Sequence, residues 1–150
     1  MDSVQNQTSN TTQVNNPNKV LLIEDEFYIA DLYKNILIEA GFNVEVAQDG
    51  DQGLKMANHK PNLILLDIML PKINGIKILS ILKKTPEVKD IPVILLTNLG
   101  QANVIKEAFS LGAQGYLLKM NLNPSDLIKY VREFINNPHL KMNVDSLVLD

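Results

Sequence analysis

The stretch that decides the fold is LILLDIMLPKINGIKIL, residues 63–79. It opens with four apolar residues, places an aspartate directly after them, and takes up an apolar spacing of three and four residues after Gly75. A short apolar run next to turn residues is typical of a strand covered on both faces, and the later spacing is typical of an amphipathic helix. The stretch therefore predicts a buried strand at 63–66, a loop through Pro71 and Gly75, and a helix at 76–84.

The same alternation of strand and helix patterns continues on both sides of this stretch. The predicted strands lie at residues 19–24, 43–47, 63–66, 91–96 and 115–118. The predicted helices lie at residues 26–40, 50–58, 76–84, 101–110 and from 123 onward. Strands that alternate with helices form parallel sheets, joined by right-handed crossovers and covered by helices on both faces. The predicted fold class is therefore α/β, a doubly wound five-stranded parallel sheet.

The first and last of these helices have recognisable ends. Gly41 follows the first helix and is expected to stop it with a positive φ. The last helix has Asn123 as its cap and Pro124 at its first position. The residues expected to face the core are Ile29, Leu32, Ile36 and Ala40 in the first helix, and Leu127, Val131 and Phe134 in the last.

Both ends of the chain are predicted to lie outside the domain, which spans residues 19–137. Residues 1–18 are almost all Asn, Gln, Ser and Thr, with too little apolar surface to offset the entropy lost on ordering, so we expect a disordered polar tail. Residues 138–150 are too few for an output domain and are predicted to be a C-terminal tail. Their apolar residues Leu147, Val148 and Leu149 suit docking on the domain.

Composition excludes several classes of protein. The chain of 150 residues has no cysteine, which excludes disulfides, thiolate catalysis and Cys-ligated zinc. Its net charge of −3 comes from mixed charges, so we expect no binding of nucleic acid by this chain alone. No apolar run approaches the roughly 18 to 20 residues of a membrane span, and the N-terminus has no signal-peptide pattern. We therefore expect a cytoplasmic protein without membrane contact, and we assign no role to His59 or His139.

Acidic residues follow the first and third predicted strands. Glu24 and Asp25 come after the first strand, and Asp67 comes after the third. In a sheet of order 2-1-3-4-5 the winding reverses between these two strands, and ligands bind at that point beyond the carboxyl ends. Two carboxylates about 5 Å apart repel by roughly 3 kcal/mol at an effective dielectric of 20, so the cluster calls for a cation. Oxygen-only ligation favours Mg²⁺ over zinc.

The fourth and fifth strands end in groups that a phosphoryl group would need. Thr97 offers a hydroxyl donor, and Lys119 offers a mobile ammonium. Together with Mg²⁺, Lys119 would offset the negative charge of an incoming phosphoryl group, which leaves Asp67 free to act as the in-line nucleophile. The predicted product is an aspartyl phosphate.

These strand-end segments resemble the receiver domains of two-component response regulators, the single-domain chemotaxis regulators among them, over about residues 19–137. The resemblance rests on VLLIEDE (20–26), LILLDIMLPKINGIKIL (63–79), PVILLTN (92–98) and GYLLK (115–119). It implies a flavodoxin-like fold of strand order 2-1-3-4-5, a phosphoacceptor at Asp67, and Thr97 and Lys119 against the phosphoryl oxygens. It also implies Mg²⁺, for which Mn²⁺ is expected to substitute. The implied metal ligands are Asp25, Asp67 and the backbone carbonyl of Met69, with Glu24 acting on the metal through water.

The resemblance further implies a switch formed by Thr97 and Tyr116. Tyr116 would turn inward when Thr97 moves toward the phosphate, and so reshape the surface of the fourth helix, fifth strand and fifth helix. Family members dimerise or meet partners through that surface, so a homodimer is one expected arrangement. The phosphodonor would be a histidine kinase or histidine phosphotransfer protein. The chain would be a signalling domain that catalyses only its own phosphorylation and dephosphorylation, with a downstream protein target that the sequence does not specify.

Two positions depart from the family pattern. Met120 follows Lys119 where family members usually carry proline, and Asn98 follows Thr97 where they usually carry a small residue. Both departures are expected to alter the rates of phosphorylation and hydrolysis. Met120 in particular is expected to alter the placement of Lys119.

Three alternative functions are weighed against the phosphoacceptor. A degenerate receiver would bind partners without phosphorylation, as the departures at Asn98 and Met120 suggest. A haloacid-dehalogenase-like phosphohydrolase needs a second acid two residues after its nucleophile, where this sequence has Met69. A flavodoxin-like cofactor binder needs a loop rich in Gly, Ser and Thr after the first strand, which this sequence lacks.

Overall fold

A computed structural model describes residues 18–148 of the chain. The described strands form one all-parallel sheet of order β2-β1-β3-β4-β5, which confirms the predicted fold class. The strands are β1 (Lys19–Ile23), β2 (Asn43–Ala47), β3 (Leu63–Leu66), β4 (Val93–Thr97) and β5 (Gly115–Leu118). The predicted polar tail lies outside the described residues, except for Asn18.

Helices cover both faces of this sheet. The helices are α1 (Phe27–Glu39), α2 (Gly50–Met56), α3 (Gly75–Lys84), α4 (Ala102–Ser110), α5 (Pro124–Asn136) and α6 (Val144–Leu147). One core lies between the sheet and α2, α3 and α4, and a second lies between the sheet and α1 and α5. None of the helices in the described part of the chain has the length and apolar character needed to cross a membrane.

The central strands are buried because both of their faces meet helices. In β1, Leu21 and Ile23 point into the first core, whereas Val20 and Leu22 point into the second. This explains why β1 is continuously apolar from Val20 to Ile23 rather than alternating. The same burial on both faces holds for all four residues of β3.

The end signals predicted for α1 and α5 are present, but the buried face of α1 differs from the prediction. Gly41 has a φ of 99°, and the side chain of Asn123 accepts a hydrogen bond from the backbone N–H of Asp126. The prediction for Leu32 was wrong, because its side chain is 53% exposed. The buried residues of α1 are Ala30, Tyr33 and Leu37. Apolar residues surround so much of α1 that their spacing does not specify which side meets the sheet.

The C-terminal segment 138–148 is packed against the domain. Helix α6 lies against α4, and the side chains of Leu147 and Val148 contact the first core. The expectation that these two residues dock is thus met, while Leu149 lies outside the described residues. The domain boundary at residue 137 stays a prediction.

Candidate functional site

The acidic residues after β1 and β3 are held by backbone hydrogen bonds that extend the sheet beyond the strands. The N–H of Glu24 donates to the carbonyl of Ala47 at 3.0 Å, and the N–H of Asp67 donates to the carbonyl of Ile23 at 3.1 Å. Because β1 and β3 are neighbours, these bonds bring the two carboxylates to the same edge of the sheet.

Glu24, Asp25 and Asp67 form the acidic cluster that the sequence predicts. One carboxylate oxygen from each lies within 4.8 Å of the others. Glu24 and Asp67 are buried, at 1% and 5% exposure, whereas Asp25 is exposed to solvent. Three carboxylates with an open solvent side match the preference of Mg²⁺ for oxygen ligands and retained waters, and Mn²⁺ accepts the same donors. The residues present therefore fit the metal that the sequence predicts.

Lys119 supplies the cationic side of the site. Its Nζ donates to Oδ2 of Asp67 at 2.9 Å and also forms a short ion pair with Oε1 of Glu24. Burial opposes the charge on Lys119, but the hydrogen bonds to Glu24 and Asp67 outweigh it and raise the pKa of the lysine. Burial also raises the pKa of Glu24 against the opposing effect of Lys119. The ammonium therefore stays charged and neutralises part of the acidic cluster.

The loop after Asp67 fixes its carboxylate and backbone. The N–H of Met69 donates to Oδ1 of Asp67 at 3.2 Å, so the two carboxylate oxygens have different partners. Gly75, at the start of α3, packs directly behind Asp67 and donates its N–H to the carbonyl of Ile68 at 2.8 Å. A Cβ atom on Gly75 would lie 2.1 Å from the carbonyl oxygen of Asp67. Close approach of the backbone, rather than a positive φ, is therefore what requires this glycine.

Thr97 and Tyr116 are connected through a single residue, Leu99. The hydroxyl of Thr97 accepts a hydrogen bond from the N–H of Leu99 at 3.4 Å. The hydroxyl of Tyr116 donates to the carbonyl of Leu99 at 2.5 Å. Both side chains are buried, and burial together with the charge of Asp67 raises the pKa of Tyr116 to about 12. The phenol is therefore a neutral hydrogen-bond donor at physiological pH.

Comparison with known proteins decides the family. The profile of the response regulator receiver domain matches residues 20–132. This chain belongs to that family. It is therefore a receiver domain of two-component response regulators.

Two solved structures and one curated relative illustrate the likeness of this receiver to known proteins. The Francisella response regulator 1452 receiver domain is 32% identical, with a TM-score of 0.75 over 82% of this chain and 99% of that one. A CheY-like receiver domain protein from Methanospirillum hungatei JF-1 is 28% identical, with a TM-score of 0.74 over 81% and 95%. The transcriptional regulatory protein CpxR of Escherichia coli (strain K12) is 36% identical over 145 residues. That match covers 89% of this receiver and 61% of CpxR, so the chain spans only part of the length of this relative.

The two departures from the family pattern contact each other in this receiver. The N–H of Met120 donates to Oδ1 of Asn98 at 3.2 Å, and the side chain of Met120 is 74% exposed. Proline at position 120 would have no N–H to donate. Asn98 therefore tethers the residue that follows Lys119, and the two departures form one structural feature.

The structure thus brings Glu24, Asp25, Asp67 and Lys119 together. It also places Thr97 and Tyr116 in hydrogen bonds with the same residue, Leu99. Their roles in phosphorylation stay predictions. The sequence did not indicate Leu99 or the contact partners of Asn98. For the contact of Asn98, the available signal in the sequence was that a residue unusual for the family follows the end of β4.

Proposed function

We propose that this receiver takes a phosphoryl group on Asp67 from a histidine kinase or a histidine phosphotransfer protein, in a Mg²⁺-dependent reaction. The proposal rests on what surrounds the Asp67 carboxylate. An acidic cluster suited to a metal lies on one side, and the ammonium of Lys119 lies 2.9 Å away on the other. The domain acts only on itself and is in this sense a signalling module rather than an enzyme.

In the proposed reaction, an oxygen of Asp67 forms a bond to phosphorus while the bond from phosphorus to the donor histidine nitrogen breaks. The electron pair of that bond stays on the imidazole. Met69 holds Oδ1 of Asp67 through its N–H, which orients the nucleophile. Lys119 shifts from the carboxylates to the incoming phosphoryl oxygens as their charge approaches. Mg²⁺, held by Glu24, Asp25, Asp67 and the Met69 carbonyl, would neutralise the remaining charge.

The same proposal includes a switch from Thr97 to the surface of α4, β5 and α5. A phosphoryl group on Asp67 would take the hydroxyl of Thr97 as a donor and so change its contact with Leu99. Because Leu99 also accepts the hydrogen bond of Tyr116, that side chain would respond. A downstream protein target would read this change by contact, without nucleic-acid binding by this chain.

Intact mass spectrometry after incubation with acetyl phosphate and Mg²⁺ tests the proposal. We expect the mass to rise by one phosphoryl group, and we expect no rise after Asp67→Asn or after removal of Mg²⁺ by chelation. Asp31→Asn, an exposed acid on α1, is the matched control and should be labelled like the wild type. An unlabelled wild-type chain would instead support a degenerate receiver, and labelled Asp67→Asn would place the acceptor elsewhere.

Asn98→Ala should slow labelling by about tenfold without changing the Mg²⁺ concentration that gives half the maximal rate. The reason is that the substitution frees the backbone after Lys119, and a displacement of a reacting group by about 1 Å slows chemistry strongly. Labelling rates over a series of Mg²⁺ concentrations check this. In a Met120→Pro background, which has no N–H to tether, Asn98→Ala should have no further effect. An equal slowing in both backgrounds would contradict the tether.

A further inference from the structure

Residues 138–148 lie against the start of β5, and they include the short helix α6. β5 is an edge strand of the sheet, and edge strands offer unpaired backbone groups to an added segment. The N–H of Met142 donates to the carbonyl of Gln114, directly before β5, at 2.8 Å. The side-chain amide of Gln114 in turn donates to the carbonyls of Leu140, at 2.9 Å, and Pro138. One residue therefore holds the backbone of the segment at three points.

The side chains of the segment alternate as they do in an added strand. The residues turned toward the domain are Leu140, Met142 and Val144, and the exposed ones between them are His139, Lys141 and Asn143. After Val144 the pattern changes to that of a short helix, whose Leu147 again contacts the first core. An extended piece with alternate apolar residues, followed by one helical turn, is the shape that this surface accepts.

The receiving surface has features that fit this shape. Gly115 leaves room for Met142, because a Cβ atom on Gly115 would lie 3.1 Å from the sulfur of Met142. Beside it, a cavity of about 220 Å³ lies between α4, β5 and α5, with Tyr116 and Tyr130 in its wall. Met142 and Leu147 form the rest of that wall on the side of the segment. The segment and the aromatic residue of the proposed switch, Tyr116, thus line the same cavity.

Two features of the segment favour its exchange for another peptide. Its apolar side chains are only half-buried, and α6 has four residues, too few to be stable without its contacts to α4. Its attachment to α5 through a single short link keeps it near the surface at a high effective concentration.

The resemblance to response-regulator receivers already implies partner contacts on the surface of α4, β5 and α5. We infer that in this chain residues 138–148, an extended segment with alternate apolar residues followed by a helical turn, occupy the β5 edge of that surface in cis. A protein partner that presents such a segment competes with them. The docking itself is independent of phosphorylation. Its regulation through Tyr116 rests on the proposed function of Asp67.

A fluorescent peptide of residues 138–148, PHLKMNVDSLV, tests the inference by binding to the full chain in trans. Met142→Asp should release the segment in cis, because a carboxylate cannot occupy the apolar position over Gly115. We expect fluorescence anisotropy to show binding to Met142→Asp at least about tenfold tighter than to the wild type. His139→Asp, an exposed position of the same segment, is the matched control and should behave as the wild type does.

A second substitution separates the surface from the segment. Adding Gln114→Ala to Met142→Asp removes the side-chain donor from the receiving surface and should weaken binding of the peptide again. Equal binding by wild type and Met142→Asp, no binding by either, or self-association of Met142→Asp in place of peptide binding would overturn the inference.

A further arm with Mg²⁺ and beryllofluoride tests the link to Asp67. Increased peptide binding by the wild type supports regulation through Tyr116, and unchanged binding refutes it. Peptide binding in the absence of these ions does not depend on phosphorylation of Asp67. Its outcome is therefore distinguishable from that of the labelling experiment.

Discussion

Gly75→Ala is expected to lower the free energy of unfolding by about 3 kcal/mol or more. The added methyl group would lie 2.1 Å from the carbonyl oxygen of Asp67 and 2.6 Å from the Cα of Ile68. Both neighbours are backbone atoms, so no side-chain rotation relieves the overlap. The start of α3 must move away from β3, or the peptide after Asp67 must tilt. Urea denaturation followed by circular dichroism measures the loss.

The same substitution should also reach the site, because the displaced backbone carries the phosphoacceptor. We expect slower labelling of the folded fraction of Gly75→Ala. Gly100→Ala is the matched control, since its Cβ would meet only Leu118 at an ordinary 3.6 Å. Its free energy of unfolding should stay within about 0.5 kcal/mol of the wild type. Equal stability of Gly75→Ala and Gly100→Ala would show that the close packing behind Asp67 does not exist.

Lys119→Met is expected to slow labelling by about 100-fold and to destabilise the metal-free protein at pH 7 by about 3 kcal/mol. The ammonium is the cationic partner of both Glu24 and Asp67, and the side chain of Lys119 is only 10% exposed. Its removal leaves two buried carboxylates without that partner, and it takes away the donor for the phosphoryl oxygens. Urea denaturation and intact mass spectrometry measure the two effects.

The pH dependence of the stability loss follows from the carboxylates. Burial already raises the pKa of Glu24, and loss of the ammonium would raise it further. A folded-state pKa above the unfolded value means that the folded variant binds more protons, so its stability falls as the pH rises through that interval. The deficit of Lys119→Met relative to wild type should therefore shrink from pH 7 toward pH 5. Added Mg²⁺ should shrink it at pH 7.

Lys77→Met is the matched control for this prediction, because Lys77 is an exposed residue of α3, and the ion pairs described for Glu24 and Asp67 are with Lys119. Its stability and labelling should equal those of the wild type. A stability deficit of Lys119→Met that is independent of both pH and Mg²⁺ would mean that packing of the lysine side chain, rather than its charge, is what the protein loses.

The prediction of the sheet from the sequence worked because β1, β3 and β4 are covered on both faces, so their residues are apolar except Lys19 at the start of β1 and Thr97 at the end of β4. Parallel strands end at one edge, and this rule alone brings Glu24, Asp67 and Lys119 into one region. The error at Leu32 has the opposite cause. Helix α1 is apolar around so much of its surface that spacing could not select the side that meets the sheet.

By itself, then, the sequence determined the order of strands and helices, the end signals at Gly41 and Asn123, and which residue types meet at the carboxyl edge. These follow from local periodicity and from the geometry common to all parallel sheets. Only the tertiary structure decided that Lys119 pairs with Glu24, 95 residues away, and that Gly75 must be glycine because backbone lies behind it. It also decided that residues 138–148 pack against the start of β5. Such contacts depend on distances between segments that no local pattern encodes.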